Sequence, residues 1–339
     1  MVVPWPGRNQ LLQLFEMMNI PSRLLTVFFL LATSPGFTEP VIATFSIAAA
    51  DPETGEVGVA VASRFFSVGS VVPYGEGAVG AVATQANADV TYGPRGLELL
   101  ARGATPEEIV SILLHNEPAD NGRQFGIVSA DGKSASYTGP GCGPWAGGRA
   151  GPNYAVQGNI LTGEDVVIAM EAAFLETDGT LADRMYASLI AGHAKGGDSR
   201  GKQSAALIVR KPGTGYGGKN DRAIDIRVDD HEEPFKELGR LLNYAQMNYA
   251  WNEAWTAFVD KNYSAALAPM ERAARLAPDV AEVFYDLAVI RLANADADGA
   301  MSALDTAIDL NPKLKDQAAN DSDLDALRND DRFSVLIAK

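Results

Sequence analysis

Thr44 is the residue in this chain best placed to do chemistry. Residues 44–48 read Thr-Phe-Ser-Ile-Ala, and residues 56–64 read Glu-Val-Gly-Val-Ala-Val-Ala-Ser-Arg, with Asp51-Pro52-Glu53-Thr54-Gly55 as a turn between them. The pattern is a strand hairpin that opens on a threonine. A hydroxyl is a weak nucleophile at neutral pH, but a threonine at a chain end carries its own base, an α-amine that titrates near pH 8. That amine can take the hydroxyl proton directly or through one water. With a cut before Thr44 the chain reads as a hydrolase. Without it, Thr44 is an ordinary strand residue. Antiparallel pairing across the turn brings Ser63 and Arg64 back toward Thr44, where a guanidinium would hold the amine neutral or bind a substrate carboxylate.

Three glycine-dense loops follow: Gly139 to Gly148, Tyr154 to Asn159, and Gly196 to Ser204. The third gathers Asp198, Arg200, Lys202, Gln203 and Ser204 just before an apolar run, a composition suited to a charged substrate group or to an ion-paired turn. None is a phosphate loop, because no Gly-x-x-x-x-Gly-Lys-Ser/Thr or Gly-x-Gly-x-x-Gly follows a strand. Cys142 has no histidine near it in sequence and reads as a cysteine without a catalytic role. His193 ends a helical stretch, where a cation relieves the dipole. Three scattered histidines and one cysteine give no zinc pattern. No metal and no cofactor is expected.

Composition narrows the partners. The 339 residues carry a net charge of -15, which argues against nucleic acid and anionic membranes. From Asp230 onward, twenty acidic side chains face eleven basic ones, so about -9 of that charge lies there. Hydrophobic content of 47% supports real cores. One cysteine excludes an internal disulfide. Leu24 to Ala32 is an apolar run behind Arg23, too short for a membrane span of roughly 20 residues but suited to a secretory leader. Val41-Ile42-Ala43 is an acceptable cleavage site, with Met17 or Met18 as an alternative start. Export to the periplasm or beyond is expected, with residues 1–43 as upstream segment and signal peptide and no integral span in the mature chain.

Elements must hold these residues in place. Short Gly- and Ala-rich strands are expected at Val71–Pro73 and Gly77–Gln85, and further strands at Gln124–Ser129, Ser134–Thr138, Ser204–Arg210 and Ala223–Val228. Helices are expected at Gly96–Gly103, after the Thr105-Pro106-Glu107-Glu108 start signal, and at Glu164–Glu176 and Leu181–Ala194. Strands in blocks alternating with helices suggest an α+β fold built as a four-layer αββα sandwich, with a one-sheet α+β domain as the rival. From about Pro234 the pattern is purely helical, starting with Glu232–Ala250. Pro278 and Pro312 stand 34 residues apart, with Ala266 matching Ala300 and Ala273 matching Ala307, the period of the tetratricopeptide repeat. The domains are then 44–231 and 232–339, and the tail is expected to be separable.

On these residues the first domain resembles a bacterial family known as domain-of-unknown-function family 1028. The matching stretches are TFSIAAADPETGEVGVAVASRFFSVGSVVPYGEGAVGAVATQA, TYGPRGLELLARG, GPWAGG, QGN, GGDSRGKQSAALIV and GYGGKNDRAIDIRVDDH, spanning about Thr44 to His231. The family is similar in fold to the N-terminal nucleophile hydrolases, in which the first residue of the mature chain attacks an amide and its amine is the base. The resemblance implies an exported amidohydrolase or peptidase acting on a small amide or peptide. Thr44, Arg64, Asn159 and Asp198 would carry catalysis. Ser63, Gln85, Gln157, Arg200, Gln203 and Ser204 would contact substrate. The other readings are a catalytically silent scaffold whose repeats dock a protein or peptide, and a cytosolic enzyme with a misplaced start. A homo-oligomer is compatible with each.

Overall fold

The computed structural model describes residues 44–119, 121–215 and 218–338. The expected leader lies outside them. Two antiparallel sheets and a set of helices form a mixed α/β architecture. The strands are β1 (Thr44–Asp51), β2 (Glu56–Ser63), β3 (Pro73–Glu76), β4 (Gly80–Ala86), β5 (Arg123–Ser129), β6 (Ser134–Thr138), β7 (Ala146–Gly151), β8 (Tyr154–Asn159), β9 (Ser204–Arg210) and β10 (Arg222–Val228). One sheet has the order β10-β9-β2-β1-β8-β7, the other β3-β4-β5-β6. The opening hairpin forms as the sequence predicts. Asp51 Oδ1 accepts the backbone N–H groups of Glu53 and Thr54, and Gly55 takes a positive φ of 73°, an Asx turn closed by the residue that tolerates it.

Three apolar clusters show what the sheets face. Ala48, Ala50, Val57, Val59, Ala81, Ala83, Val128 and Ile208 meet between the two sheets. Small side chains there follow from two strands' worth of surface pressing together. The outer face of the six-stranded sheet, with Phe45, Ile47 and Leu207, packs on α3 (Asp165–Glu176) and α4 (Leu181–Ala194) through Val166, Met170, Phe174 and Leu189. The outer face of the smaller sheet packs Phe125 and Ile127 against α1 (Tyr92–Ala101) and α2 (Pro106–Leu113). The α2 start is a complete capping box: Thr105 Oγ1 accepts from Glu108 N, and Glu108 Oε2 accepts from Thr105 N at 2.8 Å. Thr180 and Asp183 do the same for α4.

Three local expectations change. The strand expected at Val71–Pro73 gives way to a 3-10 turn at Val68–Ser70, where the Val68 carbonyl accepts from Val71 N and Val72 N, and pairing starts only at Pro73. Residues 154–159 are not a loop but β8, a strand with every residue buried, paired on both sides. Its glycine misled the sequence reading. Gly158 is small because the Leu161 side chain lies against it, a close approach rather than a turn. Residues 146–148 of the expected glycine loop instead open the edge strand β7, which runs on to Gly151.

Helix α5 (Pro234–Val259) begins within the first region and ends in the helical one. Phe235, Leu238 and Leu242 belong to the cluster under the six-stranded sheet, while Met247, Ala250 and Ala254 belong to the helical core. The expected boundary thus falls at the start of a helix shared by two cores. Beyond it come α6 (Tyr263–Leu276), α7 (Ala281–Ala293), α8 (Ala297–Leu310), α9 (Leu314–Asn320) and α10 (Asp331–Ala338). The bounds of α6 and α8 repeat at an offset of 34 residues. The turn before each holds a left-handed residue at the same offset, Lys261 (φ 60°) and Ala295 (φ 62°). Ala266, Ala273, Ala300 and Ala307 are all fully buried in the helical core. Among the described residues no helix is long and apolar enough to cross a membrane.

Candidate active site

Antiparallel register sets a row of polar side chains across one end of the larger sheet. Thr44 lies opposite Ser63 of β2 and Asn159 of β8, and Ser63 lies opposite Ser204 of β9. Directly paired residues share a face, and this face is the one turned toward the smaller sheet. Thr44 Oγ1 donates to Ser63 Oγ at 3.1 Å. The Thr44 carbonyl accepts from Gln85 Nε2 at 3.2 Å and from Asn159 Nδ2 at 3.5 Å.

Below the row lies a second one, Gln157 beside Ser46. Ser46 Oγ donates to Gln85 Oε1 at 2.6 Å and accepts from Gln157 Nε2 at 2.7 Å. Across the interface, Gln85 and Gln124 are neighbours on β4 and β5, followed by Thr138 on β6. Gln124 is the hub. Its Oε1 accepts from Gln85 Nε2 and Asn159 Nδ2, both at 2.9 Å, and its Nε2 donates to Thr138 Oγ1 and the Gly158 carbonyl. The side chains of Thr44, Ser46, Gln85, Gln124, Gln157 and Asn159 are withdrawn from solvent. Such a network is tolerated only when its donors are paired. Two acceptors, Asn159 Oδ1 and Gln157 Oε1, have no partner among the described groups.

The backbone is strained on both sides of this network. Ala86, just after Gln85, has φ 64°, and Ile160, just after Asn159, has φ 51°. A left-handed β-branched residue costs about 1–3 kcal/mol and persists only where its surroundings dictate it. The Ile160 carbonyl accepts from both Ser199 N and Ser199 Oγ, which ties the strand end to the third loop.

That loop is organised by Asp198, whose side chain is fully buried. Its Oδ1 accepts from Arg200 N and Nε, and its Oδ2 from Arg64 N and an Arg200 terminal nitrogen, all between 2.9 and 3.1 Å. Four donors fill the capacity of a carboxylate, so Asp198 fixes the chain at the end of β2. The Arg64 guanidinium is exposed and donates to the Lys202 carbonyl at 3.2 Å, along the loop. Gln203 N donates to the Ser63 carbonyl while its side chain reaches Asp230. Ser204 Oγ donates to the Phe65 carbonyl and accepts from Val68 N. The structure therefore gathers Thr44, Ser63, Asn159 and Gln85 in direct contact. Gln157 sits one row deeper, and Asp198, Arg200, Arg64, Gln203 and Ser204 form the rim. Gln124, Ser46 and Thr138 were missed. Their signal was a glutamine at the start of an apolar strand, and a serine two residues after Thr44 and hence on its face.

On the helix side of the same strand ends, a cleft of about 180 Å³ is bordered by Phe45, Ser63, His193, Asp198, Lys202 and Phe235. The His193 ring stacks on Phe235 at 4.3 Å. Burial, and then the charge of Lys202, hold its imidazole below the usual histidine range. Cys142 is buried with Sγ on the Arg123 carbonyl at 3.3 Å, and burial pushes its thiol up to about 11, the opposite of an activated nucleophile. Among the described residues no group of three or more His, Cys, Asp or Glu is placed to hold a metal ion.

No curated protein matches the sequence. A crystal structure of protein SPO2555 from Silicibacter pomeroyi, assigned to DUF1028, is 30% identical, with a TM-score of 0.54 over 60% of this chain and 89% of that one. The family of unknown function DUF1028 matches residues 44–238, starting at the threonine that opens the hairpin. That stretch carries both sheets and the whole polar row, and by it the chain belongs to the DUF1028 family.

Proposed function

We propose that this protein is an exported amide hydrolase of the N-terminal nucleophile type, in which a leader cut before Thr44 frees the catalytic group. The observation that carries the reading is Thr44 itself, the first residue of a central strand, its hydroxyl 3.1 Å from Ser63 Oγ and its carbonyl held by two amides. Two facing sheets with helix pairs outside fit the four-layer αββα sandwich of those enzymes. The start of the family match at Thr44 agrees with it. The 34-residue helical period fits a tetratricopeptide-like module after it.

In this mechanism the freed amine takes the Thr44 Oγ1 proton as the oxygen attacks the substrate carbonyl. The Oγ1–C bond forms and the carbonyl π pair moves to oxygen. Collapse breaks the C–N bond, and the ammonium returns its proton to the departing nitrogen. Water, deprotonated by the same amine, then adds to the ester carbonyl; the Oγ1–C bond breaks, the carboxylic acid leaves, and the ammonium returns the proton to Oγ1. Ser63 fixes the direction of Oγ1. Gln85 and Asn159 fix the Thr44 backbone, and Asn159 shares the row in which an oxyanion would develop. Gln157 supports them from below through Ser46, and Asp198 with Arg200 shapes the rim that Arg64 borders.

The test is intact-mass analysis of the exported protein, together with turnover of a panel of small amides and peptides. Thr44 as residue one is the expected result. An active mature chain that begins upstream of Thr44 would end the free-amine mechanism.

A further inference from the structure

Outside this site a cavity of about 570 Å³ opens between the last strand and the long shared helix. One wall consists of residues 222–226, five consecutive positions of β10. Successive strand side chains point to opposite faces. A register shift separates Arg222 from Ile224, and the regularly paired residues 224–226 that follow line one cavity in a row only where it meets the edge of the strand. β10 ends its sheet and is hydrogen-bonded on one side, to β9. Its other edge has no strand partner among the described residues and, apart from the Ala223 N–H, which donates to the Asp221 carbonyl, borders the cavity with its main chain.

The facing wall is one stripe of α5, with Asn248, Tyr249, Trp251, Asn252 and Trp255, joined by Asp286 from α7. Trp255 is exposed and stacks on Phe258 at 4.9 Å. Asp286 Oδ2 accepts from Trp251 Nε1 at 2.7 Å. Burial pushes its carboxyl up to about 6, and the nearby Asp321 and Glu282 push the same way. Among the described residues it forms no ion pair. At neutral pH it is therefore a half-buried charge held by one indole N–H, in a cavity that Tyr249, Trp251 and Trp255 also line and whose lining cation, Arg222, lies on the β10 wall. A cation would relieve that charge and lie against the rings. The chain's net charge of -15 favours a cationic partner.

We propose that this groove binds an extended polypeptide segment, which pairs with the free edge of β10 and sets a lysine or arginine side chain against Asp286, Trp251 and Trp255. Edge pairing supplies the main-chain hydrogen bonds, and the aromatic, acidic wall supplies the selectivity. The site is independent of Thr44 and stands whether or not that residue is a nucleophile.

The test uses the full chain and a blocked peptide, acetyl-Val-Thr-Lys-Thr-Val-amide, read by calorimetry and by the Trp251 indole N–H resonance. Binding at one site per chain is expected. Replacing the peptide lysine with norleucine, or N-methylating alternate residues, should each weaken it about tenfold or more. Asp286→Asn should weaken it as much, and the exposed Trp255→Ala several-fold. Absence of binding at millimolar peptide overturns the proposal, as does equal binding of the norleucine peptide. If n-butylamine and the N-methylated peptide bind as well as the parent, the strand pairing is overturned and the site is one for small organic cations. Should Asp286→Asn unfold the chain, Trp255→Ala and the norleucine peptide still decide the matter.

Discussion

The layer between the two sheets has a dry end and a polar end, although the same strands form both. At the dry end β1 and β2 contribute Ala48, Ala50, Val57 and Val59, which pack on Ala81, Val128 and Ile208. Four residues earlier along β1 the face carries Thr44 and Ser46, and the opposing sheet answers with Gln85 and Gln124. Packing alone explains the dry end. It does not explain the polar one, because burying amides and hydroxyls costs several kcal/mol unless each is paired. A stable sandwich needs no such network. Under the proposed function, its cost, the two left-handed residues beside it and the threonine bound into it have one explanation, a site kept for chemistry.

The sharpest way to break this contrast is Thr44→Ala. Turnover of any amide substrate should fall by about 10³-fold or more, while melting moves by the few degrees that about 1 kcal/mol produces. A variant that melts normally and turns over at near the parent rate would make the polar end structural. Next in size is removal of the shared helix. A chain ending at Asp230 lacks Phe235, Leu238 and Leu242, which are buried under the six-stranded sheet. Each is worth about 1.5–3 kcal/mol, so the sum rivals the whole stability of a domain. That chain should lose its cooperative transition, whereas one ending near Ala250 should keep it. Cooperative melting of the shorter chain would show that the helix is dispensable for both ends.

Paired substitutions sharpen the comparison further. At the dry end, Ile208→Ala should cost about 2–4 kcal/mol in urea unfolding and leave turnover per folded molecule unchanged. At the polar end, Gln124→Leu removes the oxygen that the Gln85 and Asn159 amides share, leaving them the Thr44 carbonyl, costs about 2–3 kcal/mol, and should lower turnover as well. Equal effects on turnover from the two would erase the functional distinction between the ends.

Cys142 gives the smallest effect and a control, since it lies beside the polar end through the Arg123 carbonyl. Cys142→Ala should leave turnover largely intact, and a melted-normal but inactive variant would move the chemistry to the glycine-rich loop. Its thiol is raised to about 11 in the fold, above the unfolded value near 8.5. The stability from keeping it protonated is fully present below the unfolded value and is lost as pH rises toward 11. Alkylation at pH 8 should therefore be far slower than for an unfolded thiol. His193 runs the other way. With its imidazole held below the usual range, its contribution is present above that range and lost as pH falls, which an NMR titration of the ring would show.

Much of this protein follows from sequence-local physics. The hairpin turn, the capping boxes at Thr105 and Thr180, and the 34-residue helical period rest on contacts within a few residues or on exact repetition, so they can be read before any folding. Ser63 opposite Thr44 follows from the turn length alone. Other features need partners far along the chain. Tyr154–Asn159 becomes a central strand only because β1 and β7 flank it, and its glycine, read alone, signals a loop. Gln124 becomes a hub because the sheets stack with that residue facing Asn159, 35 positions away. Helix α5 is amphipathic toward two different cores, so its sequence shows one helix and only the packing shows that it is shared. The residues that could do chemistry were fixed by the sequence; which of them touch was decided by strand register between distant segments, a property that no local pattern encodes.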